Sequence, residues 1–89
     1  MRQSVFAESL KHNKIGVLAL LLGMASNRML THGSGVERLA RLVTIDMGLS
    51  HAESCDVIVN AVLSVRPDAN GIEMRNMNIK QLKSLVLGA

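Results

Sequence analysis

The chain has no tryptophan and no tyrosine, and only one phenylalanine, one cysteine and one proline. Each scarcity excludes something. Folds that bind single-stranded nucleic acid by stacking bases on aromatic rings have only Phe6 to work with here. The core must therefore be aliphatic, built from Leu, Val, Ile, Ala and Met. Cys55 cannot close an internal disulfide, and a secreted domain of 89 residues would ordinarily carry several cysteines. A reducing, cytoplasmic setting is the expectation. Charge is also thin, at 19% of residues, and no run reaches the density of a polybasic patch. A phosphate-cradling glycine loop is missing, because Gly33 and Gly35 follow a helical stretch rather than a strand.

What the chain does have is an apolar fraction of 48%, concentrated first in Ile15–Leu30. From Ile15 to Ala25 no side chain is charged or hydrogen-bonding. The run is rich in helix formers, fills both parities of a strand pattern, and is too long for an ordinary strand. It is also too short to span a bilayer unaided, with Lys11 and Lys14 closing one end and Asn27 and Arg28 the other. A central helix follows, apolar on every side and expected to be covered all round. Ala19 and Gly23 share a face one turn apart. Glycine inside a helix costs up to about 1 kcal/mol relative to alanine, so Gly16 and Gly23 point to a second helix crossing close to the backbone. That helix would come from this chain or from another copy, and a leucine at position 23 would overpack the crossing.

The remaining segments supply the cover. Residues 2–12 form a short amphipathic helix with Val5, Phe6, Leu10 and Ala7 as its inner face, and Asn13 is a break able to cap the central helix. Thr31–Gly35 is a loop. Ser34 with Glu37, and Ser50 with Glu53, match capping boxes that open two further helices. The first carries Val36, Leu39, Ala40, Val43 and Met47 on one stripe, widened by Leu42 and Ile45, and an outer Glu37–Arg41 pair. Gly48 suits the left-handed position that ends it. The second, about 51–65, places Cys55, Ile58, Val59, Val62 and Val65 together. Pro67 stops it, and Asn70-Gly71 reads as a turn supplying positive φ. Residues 72–77 read as extended or irregular. Asn78, with Gln81 three residues on, caps a last helix to about Leu87, with Ile79, Leu82, Leu85 and Val86 inward and Gly88 as its stop. The expectation is one all-α domain over 1–89, a bundle or orthogonal array of about five helices around residues 15–30.

Few constellations promise chemistry. His51 and Cys55 lie at i,i+4, a spacing for two metal ligands or for a base beside a thiol. His12 and His32 stand in distant segments, and there is no second cysteine to complete a zinc site. Glu53 and Asp56 sit where a helix N-terminus favours negative charge. The stretch around Gly48-Leu49-Ser50 resembles the turn of a DNA-reading helix-turn-helix. However, Ser54 occupies a place that pattern gives to an apolar residue. The helix after the turn offers His51, Glu53, Ser54 and Asp56, with no cation before Arg66, a surface that would repel phosphates. Residues 32–53 also look like the opening helices of HD-type phosphohydrolases, without the His-Asp pair that those proteins carry on the next helix.

Residues 1–73 balance seven cations against seven anions, so the net charge of +3 comes from Arg75, Lys80 and Lys83. Roughly half the residues are apolar in a chain too small to bury them all, which points to a partner surface. The expected function is a non-enzymatic, regulatory protein-interaction module without cofactor or metal, self-associating as a homodimer. Ala19 and Gly23 are the candidate contact residues, and Arg75, Lys80 and Lys83 are candidates for an acidic partner. Nucleic-acid binding through that basic segment is the alternative, and a membrane partner is not expected.

Overall fold

Three reciprocal caps divide the chain. Ser34 Oγ accepts the Glu37 amide at 3.4 Å while Glu37 Oε1 accepts the Ser34 amide at 3.0 Å. Ser50 and Glu53 repeat the exchange at 3.1 and 3.2 Å, and Asn78 and Gln81 at 2.8 and 2.9 Å. Each box satisfies amide donors that the first turn of a helix leaves without partners. The structure, a computed structural model, describes residues 5–27 and 33–88. Six helices are seen among them: α1 Val5–His12, α2 Lys14–Asn27, α3 Gly35–Met47, α4 His51–Val65, α5 Gly71–Arg75 and α6 Ile79–Leu87. No strand occurs among the described residues, and no helix there is long and apolar enough to cross a membrane.

The fold is all-α. α2 packs on α6, α4, α3 and α1, while α3 and α4 pack on each other after the turn at Gly48. Gly48 takes φ 66° and ψ 29°, the left-handed conformation that glycine adopts without Cβ strain. Leu18, Leu21 and Leu22 of α2 meet Val36, Leu39 and Val43 of α3, Ile58 and Val62 of α4, Met74 of α5, and Leu82 and Val86 of α6 in one continuous buried cluster. Leu10 and Cys55 lie at its margin, nearly buried. Met47, Leu42, Val65, Ile79 and Leu85 pack against it half-buried. The expected inner faces of α3, α4 and α6 are thus the observed ones. The assignments of Val5, Phe6, Ala7 and Ile45 to inner faces fall outside the described side chains, and residues 28–32 fall outside the described chain.

Expectations for two regions need correction. The segment 72–77 is not extended: Gly71–Arg75 is a sixth, single-turn helix that buries Met74. Asn70 does not supply a positive-φ turn either. It takes φ −96° and ψ 119°, and its Oδ1 accepts the Ile72 and Glu73 amides at 2.9 and 3.0 Å, so Asn-Gly here starts a helix. The second correction concerns α2, which is not enclosed on all sides. One side of it is buried, while on the other Ile15 is 44% and Leu20 58% exposed.

Candidate functional site

Burial divides α2 into two faces. Val17, Leu18, Leu21, Leu22 and Ala25 recur on one side and are buried. Ile15, Gly16, Ala19, Leu20 and Gly23 fall on the other, because residues four apart stack one turn above each other. This second face carries no charge. Ile15, Gly16 and Leu20 are exposed, and Ala19 and Gly23 half-buried. An open groove of about 460 Å³ between α1 and α2 continues it, with Glu8 and His12 on one bank and Gly16 and Leu20 on the other.

The two glycines of α2 have different reasons. A Cβ at Gly16 would run into the Asn13 side chain, whose Oδ1 accepts the Gly16 amide at 3.0 Å. Gly16 therefore makes room for the cap of its own helix, and Asn13 is that cap. At Gly23, beyond its chain neighbours and its own helix backbone, no atom of the described residues lies within 4 Å of where a Cβ would stand. Among the described residues no helix crosses there, which leaves a crossing with another copy as the surviving form of the expectation. Ala19 lies on the same face, below Gly23.

The three C-terminal cations are not alike. Arg75 Nη2 donates to Asp56 Oδ1 at 2.6 Å, tying α5 to α4. Lys80 and Lys83 are exposed on the outer side of α6, three residues apart, and neither pairs with a carboxylate among the described residues.

His51 and Cys55 do meet, as their spacing implied. His51 Nε2 is 3.6 Å from Cys55 Sγ and 3.9 Å from Glu37 Oε2. Both neighbours approach the same ring nitrogen, so Glu37 does not orient the imidazole from its far side as a relay requires. Burial pushes the Cys55 thiol up from its ordinary value, and the nearby Glu37 carboxylate adds to this. A thiol so shifted is a poor nucleophile. Glu37 itself is held below the usual carboxylate range, first by the Ser34 amide it accepts. Among the described residues no three His, Cys, Asp or Glu side chains stand together as a metal site. The cluster is a shallow cleft of about 290 Å³ walled by Val36, Glu37, Ala52, Cys55 and Arg75.

Comparison of the chain with protein-family models, curated proteins and solved structures finds no match.

Some relevant residues escaped the sequence. Ile15 and Leu20 are the large side chains of the open α2 face, but an all-apolar helix gives no sign of which half its neighbours cover. Arg66 reaches across the bundle: its Nε and Nη2 donate to the Leu85 and Val86 carbonyls at 3.0 and 2.9 Å, and its Nη1 to its neighbour Val65 at 2.9 Å. No local pattern marks such a long-range cap.

Proposed function

We propose that this protein is a small non-enzymatic helical interaction module that works by binding protein, a second copy of itself included. One observation carries the reading: the uncharged face of Ile15, Ala19, Leu20 and Gly23, on which Ile15 and Leu20 are exposed and Ala19 and Gly23 only half-buried. Exposed apolar side chains are ordinary when scattered, but a contiguous row on one helix beside an open groove is typical of an interface. Stable interfaces bury roughly 600–1,000 Å² on each partner, between about a tenth and a fifth of this chain's 5473 Å². A twofold pairing of like faces is the simplest closed arrangement. The single buried cysteine, kept as a thiol, fits a reducing, cytoplasmic setting.

Sedimentation equilibrium at micromolar concentrations tests this reading. The wild-type chain is expected at twice the monomer mass, and Leu20→Glu at the monomer mass with its helical circular dichroism retained. A wild-type monomer across the whole concentration range overturns self-association. Nucleic-acid binding through Lys80 and Lys83 is the competing outcome. With Arg75 engaged by Asp56, two free cations would give a log-affinity slope against log salt of about −2 on duplex DNA.

A further inference from the structure

A second groove lies on the α4 side of the α1–α2 junction, lined by residues different from those of the open α2 face. Its volume is about 250 Å³. Leu10, Val57 and Ala61 form the floor, and Lys11, Lys14 and Asn60 stand on the rim. Leu10 and Ala61 are nearly buried and Val57 half-buried, so the floor is a small apolar surface. Lys11 is exposed and Lys14 half-buried, and among the described residues neither lies within ion-pair distance of a carboxylate. No carboxylate lines the groove, so its charge has one sign.

We propose that this groove takes a short acidic amphipathic helix of a different protein. The apolar floor needs aliphatic side chains to cover it, and the two ammonium groups need carboxylates beside those side chains. A helix with apolar residues at i, i+3, i+4 and i+7, flanked by glutamates, brings both on one face. A phosphate backbone would satisfy the lysines but bring nothing apolar to the floor. This chain's own α5 offers Ile72, 79% exposed, beside Glu73, but it is a single turn, too short to present apolar residues at i, i+3, i+4 and i+7. The proposal does not rest on self-association through α2, and either can fail alone.

The test uses the full chain and a fluorescein-labelled 16-residue synthetic helix with a leucine stripe flanked by glutamates. Anisotropy titration is expected to show saturable binding that weakens at least tenfold in the Lys11→Glu, Lys14→Glu double variant. The same peptide with lysine in place of every glutamate is expected to bind that variant more tightly than it binds the wild type. If the charge-reversed chain does not fold by circular dichroism, Lys11→Gln with Lys14→Gln replaces it, with at least a threefold weakening expected. Absence of saturable binding, an affinity indifferent to these substitutions, or equal binding of a peptide with its leucines replaced by serine overturns the proposal. So does loss of a wild-type dimer in the double variant, which would assign the groove to a second copy, or binding of anionic phospholipid vesicles but not of the peptide.

Discussion

Thr44 Oγ1 stands 2.9 Å from Ser54 Oγ, a hydroxyl of α3 against a hydroxyl of α4 in the core. Each also has a partner on its own helix. Thr44 Oγ1 lies 2.6 Å from the Ala40 carbonyl oxygen, and Ser54 Oγ lies 2.9 Å from that of Ser50. Ser54 is fully buried, yet neither hydroxyl is stranded. A DNA-reading turn would place an apolar side chain where Ser54 stands. Here two hydroxyls join the helix pair instead, and the helix that follows the turn presents Glu53 and Asp56 to solvent.

Because the hydroxyls are doubly supported, removing one does not orphan the other. Ser54→Ala is expected to cost about 1 kcal/mol or less, the net value of one hydrogen bond. Thr44→Val should behave alike, with Ser54 still donating to Ser50. Urea unfolding midpoints of both variants check this. A loss beyond about 2 kcal/mol would mean that the remaining hydroxyl is left unsatisfied.

Arg66 is a different case, since its guanidinium serves three carbonyl oxygens at the ends of α4 and α6. Hydrogen bonds involving a charged donor contribute about 1.5–3 kcal/mol, so Arg66→Ala should destabilise by about 2 kcal/mol. Arg66→Lys should recover little, because a point ammonium cannot reproduce the planar fork. Hydrogen exchange in the last turn of α6 is expected to accelerate in both variants, and unchanged exchange there would refute the capping role.

Acid should loosen the start of α3. The Glu37 carboxyl is held below its ordinary value of 4.5, chiefly by the Ser34 amide. A lowered folded-state value favours the ionised form in the folded chain, so its contribution is full above about 4.5 and disappears as pH falls through the lower folded value. Glu37→Gln should flatten that part of the stability-pH profile. An identical profile in the variant would show that the cap is not coupled to titration.

Position 23 distinguishes stability from association. With open space over Gly23, Gly23→Ala should stabilise the monomer by up to about 1 kcal/mol through helix propensity alone. Gly23→Leu should fold as well, yet break the dimer by holding the two α2 helices apart. A Gly23→Leu chain that still sediments as a dimer would move the interface elsewhere.

Cys55 should react slowly. Burial raises its thiol above the ordinary 9.0, so little thiolate is present near neutral pH. Modification by a disulfide reagent at pH 8 is expected to be far slower in the native chain than in urea. Equal rates would place the sulfur in solvent.

The sequence was most informative where the controlling interaction is local. Ser34 with Glu37, Ser50 with Glu53, Asn78 with Gln81, and Gly48 act over a few residues, so spacing alone locates three helix starts and the turn between α3 and α4. The inner stripes of α3, α4 and α6 were legible for the same reason, because a polar outer side marks the inner one. α2 has no polar side, so its open half was illegible even though Ala19 and Gly23 were singled out. Asn70-Gly71 misled because the same asparagine that favours a turn also caps a helix, and burial of Met74 decides between the two. Arg66 with Leu85 and Val86, and Thr44 with Ser54, pair residues brought together only by the tertiary fold.

Gly35 has its own bearing on the order in which this chain can assemble. Its amide donates to the Met77 carbonyl at 2.8 Å, and a Cβ there would press on Leu82 at 3.0–3.1 Å, so the first turn of α3 rests against the first turn of α6. α6 also packs on α2, across most of the chain's length. Closing such distant contacts costs loop entropy before any burial repays it. During synthesis, Leu18, Leu21 and Leu22 remain partly uncovered until Leu82 and Val86 have emerged. The leucine-rich α2 of the nascent chain is thus the segment most in need of shelter from wrong partners, and the arrival of α6 ends that exposure.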